Sequence, residues 1–332
     1  KEGHASVAVP GTVAGLSLAL KKYGTMDLKS VIDPSISLAE DGFEVSRLMA
    51  SMINNNFRKL SRFPAAAEIY LKSGIPYKAG EKIYLKDLAV TYRLVAEKGA
   101  DIFYNGDIAD SIEKEMKGLG GLITKKDLSG YRPVLRAPVS GTYRGYEIFS
   151  MGPPSSGGTH IIQILNILEG YDIAGLGLNN EKSIPLMAAA MEKAFSDRAK
   201  FLGDPDFVNV PLKDLLSKER AAKSREKKNA GVQDRKMVAA ADIQLYESDQ
   251  TSHLSVVDSE GNMVALTQSI NSFFGSGVVV PGTGILLNNQ MNDFTPGEGG
   301  PNSIKPNKRP VSNMSPTLVL KDGRPHMTIG MP

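Results

Sequence analysis

Thr251 is the residue whose type and position most suggest nucleophilic chemistry in this sequence. It follows Gln250 at the end of a charged stretch and begins a run of small polar and apolar residues. A threonine hydroxyl is a poor nucleophile and needs a base. If the chain is cut between Gln250 and Thr251, the new α-amino group supplies that base, because its ordinary pKa of about 7.7–8.0 leaves part of it neutral near pH 7. The position therefore predicts a nucleophile and a base on one residue, with His253 as the alternative base.

A β-hairpin is predicted to hold this threonine. Residues 251–258 alternate as a strand does, residues 259–261 give a turn signal, and residues 263–266 form a second apolar run. A three-residue loop with Gly261 in the left-handed conformation is a favoured connection. This register pairs Asp258 with Asn262, Val257 with Met263 and His253 with Thr267.

The register also decides which residue faces the threonine. With the three-residue loop, Ser269 lies directly opposite Thr251, whereas a two-residue loop would place Ile270 there. In the first case Ser269 is expected to orient Thr251 and to share its proton. Asn271, two residues further on, would share the strand face of Ser269.

Polar side chains also gather at residues 288–293, directly after the apolar run 284–287. The apolar run predicts a short buried strand. Polar residues bunched at the end of such a strand are usual at a binding site. The sequence therefore favours a binding site here over the alternative, a capped turn.

Two other stretches have simpler explanations. Residues 153–159 predict a rigid, hydroxyl-rich turn before a helix, because the serines lack the glycine spacing of a nucleophile elbow. Residues 218–236 hold eight Lys or Arg against three Asp or Glu, without interleaved aromatic residues. That pattern favours a solvated linker over a nucleic-acid patch, and such a linker would leave the bond between residues 250 and 251 accessible.

Amphipathic helices are predicted through much of the chain. Apolar residues recur with helical spacing, and a glycine follows each segment. These segments are residues 12–22, 28–41, 85–98, 107–119 and 183–202. A strand pair is predicted around Gly145.

Composition excludes several classes of protein. Of the 332 residues 41% are hydrophobic and 23% charged, and the net charge is +3, so neither nucleic acid nor an anionic membrane is expected as a partner. There is no cysteine and the four histidines are scattered, so we expect no catalytic metal and no cofactor. The sequence has no run of about 18 apolar residues, so no membrane span is predicted, and no signal peptide is visible.

Several longer motifs resemble the γ-glutamyltransferase (glutathione hydrolase) family of N-terminal nucleophile hydrolases. The similarity runs from Pro10 to Pro332, and its motifs are too long to arise by chance. They are residues 153–158, 251–258, 284–294, 307–310 and 314–316.

The resemblance implies an α+β fold, a four-layer αββα sandwich made from one self-cleaving precursor. Residues 1–250 would be the large-subunit part, mostly helical and ending in the charged linker. Residues 251–332 would be the small-subunit part, rich in strands and carrying the nucleophile and the donor site. A periplasmic or secreted location is also implied.

The resemblance assigns roles by position. Thr251 matches the nucleophile, and Ser269 stands where the family has a supporting hydroxyl. Asn271, Gln290 and Asp293 match the residues that hold the α-amino and α-carboxylate groups of the donor. Cleavage of the precursor is expected between residues 250 and 251.

The sequence departs from the family pattern in the remaining donor site. Ser312 matches one of two adjacent serines that bind the donor, and Asn313 replaces the second with a bulkier side chain. Residues 295–306 are shorter than the lid loop of many members, so an open site is expected. The family's donor-carboxylate arginine is expected upstream of Lys1, and its paired oxyanion glycines are expected after Pro332.

The implied reaction uses a small γ-glutamyl donor of the glutathione type and passes the acyl group to water, an amino acid or a peptide. Two alternatives share the fold, a cephalosporin (glutaryl) acylase and a poly-γ-glutamate depolymerase. A third alternative is a binding protein that kept the fold without the chemistry. The presence of Thr251, Asn271 and Asp293 together favours an enzyme.

Overall fold

The computed structural model describes residues 2–177, 179–229 and 250–331. The chain forms two compact units, and each is built from two stretches of sequence. The first unit combines Lys1–Leu135 with Ser269–Asn292, and the second combines Arg136–Gln268 with Asp293–Pro332. The mixture of helices and sheets confirms the predicted α+β class.

The helices and strands have the following bounds. The α-helices are α1 Thr12–Tyr23, α2 Leu28–Asp41, α3 Arg47–Asn55, α4 Phe57–Leu60, α5 Pro64–Tyr70, α6 Lys86–Lys98, α7 Asp101–Tyr104, α8 Asp107–Gly118, α9 Lys125–Gly130, α10 Gly157–Leu168, α11 Ile173–Leu176, α12 Ser183–Phe201, α13 Leu212–Leu215 and α14 Lys218–Asn229. The strands are β1 Phe43–Glu44, β2 Leu71–Lys72, β3 Ile75–Pro76, β4 Lys82–Ile83, β5 Val139–Tyr143, β6 Tyr146–Ser150, β7 Thr251–Val257, β8 Met263–Ser269, β9 Val279–Val280, β10 Ile285–Leu286, β11 Thr317–Lys321 and β12 Arg324–Ile329. Short 3₁₀ helices span His4–Ser6 and Gln290–Asp293.

Local sequence signals set the helix ends. Asp27 caps α2, since its Oδ1 accepts a hydrogen bond from Ser30 N at 2.9 Å. The same helix ends before Gly42, whose φ of 73° is favourable only for glycine. Helices α1, α2, α6, α8 and α12 confirm the five predicted segments to within one residue at each end.

The core of the first unit joins early helices to a strand pair from late in the chain. Strands β9 and β10 are antiparallel, with Ile285 opposite Val280. Val278 and Leu287 face each other at one end of this pair, where Leu287 N donates to Val278 O at 2.9 Å. Both are fully buried and pack in one cluster with Ile112 of α8. The predicted strand within residues 284–287 is therefore confirmed as β10, although its two residues are half-buried and Leu287 directly after them is the fully buried one.

The second unit is built on an antiparallel sheet with strand order β12-β11-β6-β5. β11 pairs with β6, with Thr317 opposite Ser150, so a late strand continues the hairpin of β5 and β6. Helix α10 covers this sheet, and its Ile162 packs with Val139 and Val319. Helices α12 and α14 pack in turn on α10. This unit is therefore a helical layer on a sheet.

Helix α14 corrects the predicted charged linker. Residues 218–229 are helical, so the linker prediction is wrong over that range. Ala221 is buried against α10 and α12, and two arginines of the helix have partners distant in sequence. Arg220 Nη2 donates to Asp197 Oδ1 at 3.0 Å, and Arg225 Nη1 donates to Asn166 O at 2.9 Å. Residues 230–236 of the predicted linker lie outside the described residues.

His160 of α10 is a buried histidine whose ring centre lies 4.7 Å from that of Phe195. Burial lowers the pKa of His160 from 6.5 to about 4, and the charge of Arg198 adds to the shift while that of Asp197 opposes it. Because the folded-state pKa lies below the unfolded value, the unfolded chain binds the proton first as the pH falls. Neutral His160 therefore makes its full contribution to the free energy of unfolding above pH 6.5, and this contribution is lost as the pH falls to about 4.

We expect the free energy of unfolding to fall by about 3 kcal/mol through this group between those two pH values. Urea unfolding, followed by circular dichroism at a series of pH values, measures how steeply the free energy of unfolding changes with pH. His160→Gln should flatten this dependence, whereas the same change at the exposed His326 should leave it as in the wild type. Equal slopes in the wild type and His160→Gln would contradict this prediction.

Candidate active site

The hairpin of β7 and β8 has the predicted three-residue loop. Asp258 N donates to Asn262 O at 3.1 Å, and Gly261 is left-handed with a φ of 85°. The carboxylate of Asp258 holds the turn, since its Oδ1 accepts from the backbone N–H groups of Glu260 and Asn262, both at 2.9 Å. The hydrogen bond from the Asn262 side chain, followed by that from its backbone, lowers the pKa of Asp258.

His253 shows the same register further along the hairpin. Its Nδ1 lies 2.8 Å from Thr267 Oγ1, the predicted cross-strand partner, and its Nε2 lies 3.0 Å from Ser255 Oγ. Both ring nitrogens are thus engaged along the strands, which makes His253 a poor candidate for the base of Thr251. The confirmed register is the one that would bring Ser269 opposite Thr251, and that pair stays a prediction.

Asn271 lies directly after β8, in a conformation that the strand pattern did not predict. Its φ is 76°, and its backbone N donates to Ser269 Oγ at 2.8 Å. The strand alternation therefore ends at Ser269, and the predicted shared face is wrong. Asn271 Nδ2 also donates to Asn289 O at 3.3 Å, which places this side chain beside the polar cluster of residues 288–293.

Two asparagines of that cluster hold the backbone in place. Asn288 binds both backbone groups of Ala8, accepting from its N at 3.1 Å and donating to its O at 2.9 Å. Asn289 binds both the backbone and the side chain of Ser272, accepting from Ser272 N at 3.0 Å and donating to Ser272 Oγ at 2.6 Å. Asn288 Oδ1 also accepts from Gln290 N at 2.9 Å, at the start of the 3₁₀ helix. The cluster therefore contains structural residues as well as the predicted donor-binding Gln290.

The serines of the predicted turn at residues 153–159 hold the segment that carries Ser312 and Asn313. Ser156 Oγ donates to Ser312 O at 2.8 Å and lies 3.1 Å from Asn313 Oδ1. Ser312 N donates in return to Pro154 O at 3.2 Å. A Cβ on Gly157 would lie 2.4 Å from Asn313 O, so only glycine permits this approach. The turn is structural, as predicted, and its hydroxyl also holds the bulkier side chain at position 313.

The predicted site residues are divided between the two units. Ser269, Asn271 and Gln290 belong to the first unit, and Thr251, Asp293, Ser312 and Asn313 belong to the second. Ser156 and Asn289 help to position them. The sequence analysis placed both in polar stretches, residues 153–159 and 288–293, but missed their partners Ser312 and Ser272, which are distant in sequence.

Neither a metal site nor a membrane-spanning helix occurs in the part of the chain that the structure describes. Over residues 2–177, 179–229 and 250–331, no three or more His, Asp or Glu side chains are grouped to hold a metal ion. No helix within those same ranges has the length and apolar character needed to cross a membrane.

The α+β fold is that of the N-terminal nucleophile hydrolases. The gamma-glutamyltranspeptidase family model matches residues 1–332, and the chain belongs to that family. It is 44% identical over 341 residues to the glutathione hydrolase proenzyme of Escherichia coli (strain K12), an alignment that covers 99% of this chain and 59% of that protein.

Acylases of the same fold are nearly as similar. The chain is 41% identical over 330 residues to the acylase ACY 1 proenzyme of Pseudomonas sp. (strain SE83), covering 99% of this chain and 59% of that protein. Its structure is similar to that of the cephalosporin acylase from Bacillus halodurans, with a TM-score of 0.86, 29% identity, and coverage of 98% of this chain and 60% of that one. The chain thus spans 59% of the length of these curated relatives.

Proposed function

We propose that the protein is a γ-glutamyltransferase and glutathione hydrolase that is activated by cleavage between Gln250 and Thr251. The observation that carries the proposal is Thr251 at the first position of β7, in a hairpin whose register is the predicted one. Relatives at 44% and 41% identity are named proenzymes, which supports a precursor that is processed. Residues 1–250 would be the large-subunit part and residues 251–332 the small-subunit part.

The proposed reaction has two steps. Thr251 Oγ attacks the γ-carbonyl carbon of the donor while its own α-amino group takes the hydroxyl proton. The amide C–N bond breaks, the amine leaves with that proton, and the γ-glutamyl group remains as an ester on Thr251. Water or an acceptor amine then attacks the carbonyl carbon of the ester and gives a proton to the same amino group. The ester C–Oγ bond breaks, the γ-glutamyl product leaves, and the amino group returns the proton to Oγ, which restores the free hydroxyl.

Charge complementarity decides how the donor is held. A γ-glutamyl group ends in an ammonium and a carboxylate on one carbon, so its site needs an anion beside hydrogen-bond donors. Asp293 supplies the anion for the ammonium. The amides of Asn271, Gln290 and Asn313 and the hydroxyl of Ser312 supply donors for the carboxylate. Ser269 supports Thr251.

A glutaryl acylase is the second candidate, since relatives of that name are nearly as similar as the glutathione hydrolase. A glutaryl group has the carboxylate without the ammonium. A carboxylate at position 293 suits an ammonium and gives a glutaryl donor nothing to bind, which favours the γ-glutamyl donor.

Hydrolysis of two chromogenic anilides by the full-length processed protein tests the function. γ-Glutamyl anilide should be hydrolysed with a far higher kcat/KM than glutaryl anilide, and addition of a dipeptide acceptor should raise the rate of anilide release. The Thr251→Ala variant serves as the inactive control. A preference for glutaryl anilide would establish the acylase instead, and no release from either donor would indicate a binding protein.

A further inference from the structure

Asn302 is a buried side chain that joins the two parts of the second unit's predicted donor site. It is 8% exposed. Its Nδ2 donates to Asp293 O at 2.7 Å and also lies 3.2 Å from Thr295 Oγ1. Its Oδ1 accepts from Val311 N at 2.9 Å, and Val311 directly precedes Ser312. One amide group thus binds the backbone on both sides of the segment that separates residues 293 and 312.

The segment around Asn302 is itself fixed. The Asn302 carbonyl accepts from Thr295 N at 3.0 Å, and Thr295 forms an isolated parallel bridge with Ser303. The buried ammonium of Lys308 donates to Pro301 O at 2.7 Å and to Ser303 O at 2.9 Å. Residues 295–300 are exposed, whereas the residues at the base of the loop are held by these hydrogen bonds.

The turn after α12, at residues 203–204, packs against the base of this loop. A Cβ on Gly203 would lie 2.3 Å from Pro301 O, so the two segments of backbone are in close contact there. Asp204 is fully buried, and its Oδ2 accepts from Arg309 N at 2.8 Å while its Oδ1 accepts from Arg136 Nη2 at 3.3 Å. These contacts anchor the loop to the second unit, so the position of Asn302 is set by its surroundings.

We propose that Asn302 is a positioning residue that fixes the spacing between Asp293 and Ser312 and thereby sets the preference for donors with an α-ammonium group. The proposal rests on the donor roles given to Asp293 and Ser312 in the proposed function. An ammonium and a carboxylate on one carbon are a fixed distance apart, so the groups that bind them must keep their spacing as well. A single planar amide bound to both segments keeps it, because neither segment can shift without losing a buried hydrogen bond.

Asn302→Asp changes one atom of this link. The variant keeps the acceptor for Val311 N, but places an oxygen where Nδ2 donates to Asp293 O. We expect the KM for γ-glutamyl anilide in the full-length processed protein to rise about tenfold or more, with a smaller fall in kcat. The KM for glutaryl anilide should change less, since that donor does not need Asp293. If the aspartate variant folds poorly, Asn302→Ser can replace it, because serine is smaller and uncharged. That variant should also raise the KM and lower the kcat for γ-glutamyl anilide.

Asn166 provides a matched control in the same unit. It is 2% exposed, and its Nδ2 donates to Leu216 O at 2.8 Å, away from the predicted donor residues. Both Asn166→Asp and Asn302→Asp should lower the thermal midpoint, but Asn166→Asp should leave the KM of both donors unchanged. Equal losses with both donors in the Asn302 variants would indicate general damage and overturn the proposal.

Asp293→Ala separates this proposal from the function it rests on. If Asp293→Ala raises the KM for γ-glutamyl anilide and both Asn302 variants leave it unchanged, the positioning role is wrong and the donor role of Asp293 stands. If Asp293→Ala leaves that KM unchanged, the donor role fails and the positioning role fails with it. If the proposal is right, the double variant Asp293→Ala with Asn302→Asp should raise the KM for γ-glutamyl anilide by less than the product of the two separate effects.

Discussion

Replacing Thr251 by alanine should leave a single uncut chain without γ-glutamyl transfer activity. In the proposed cleavage, Thr251 Oγ attacks the carbonyl carbon of Gln250, the peptide C–N bond breaks, and the acyl group moves to the oxygen as the nitrogen takes the proton. Water then hydrolyses the ester and releases a chain that ends at Gln250. Because the same hydroxyl performs catalysis, its loss should lower kcat by at least about 10⁴-fold.

The expected products are visible on a denaturing gel of the full-length precursor and are identified by N-terminal sequencing of the smaller one. Thr251→Ser retains a hydroxyl and should be cut more slowly than the wild type. The substitution Ser252→Ala is the matched control at the next position and should leave the cut in place. A smaller product that starts at any residue other than Thr251, or full activity from an uncut chain, would overturn the mechanism.

Asp293→Ala should raise the KM for γ-glutamyl anilide by about 10- to 100-fold, because a charge-assisted hydrogen bond to the donor ammonium is lost. Glutaryl anilide carries no ammonium, so its KM should change little. Steady-state kinetics with both anilides measure the difference.

Two further variants show whether charge is the cause. Asp293→Asn keeps the shape of the side chain and removes its charge, so it should behave as the alanine variant does. Glu298→Ala removes an exposed carboxylate from the following loop and should leave both constants unchanged. Equal losses with the two donors would remove Asp293 from the ammonium role.

Local signals were enough to predict the parts of the site that local interactions determine. The hairpin register followed from Gly261, whose left-handed turn fixes how residues pair across the strands. The C-terminal end of α2 followed from Gly42 in the same way. In each case the residues that decide the structure are neighbours in sequence.

The features that sequence reasoning missed depend on partners far along the chain. The charged stretch that contains α14 was predicted to be a solvated linker. Asp197 and Asn166, the partners of its arginines, are distant in sequence and so gave no local signal. The end of β8 at Ser269 depends on the left-handed conformation of Asn271 beside the carbonyl of Asn289. The bond from Asn302 to Val311 is likewise invisible until the fold brings both together.

The sheet of the second unit has a consequence for the processed protein, because β11 lies between β6 and β12. The first unit is similar, since Val278 and Leu287 share a core with Ile112. A cut between residues 250 and 251 would divide the strands of that sheet and the residues of that core between two polypeptides. Refolding would then change from a first-order reaction of one chain to a second-order encounter of two, slower at high dilution. The precursor could recover from unfolding alone, whereas the mature protein would depend on its concentration to do so.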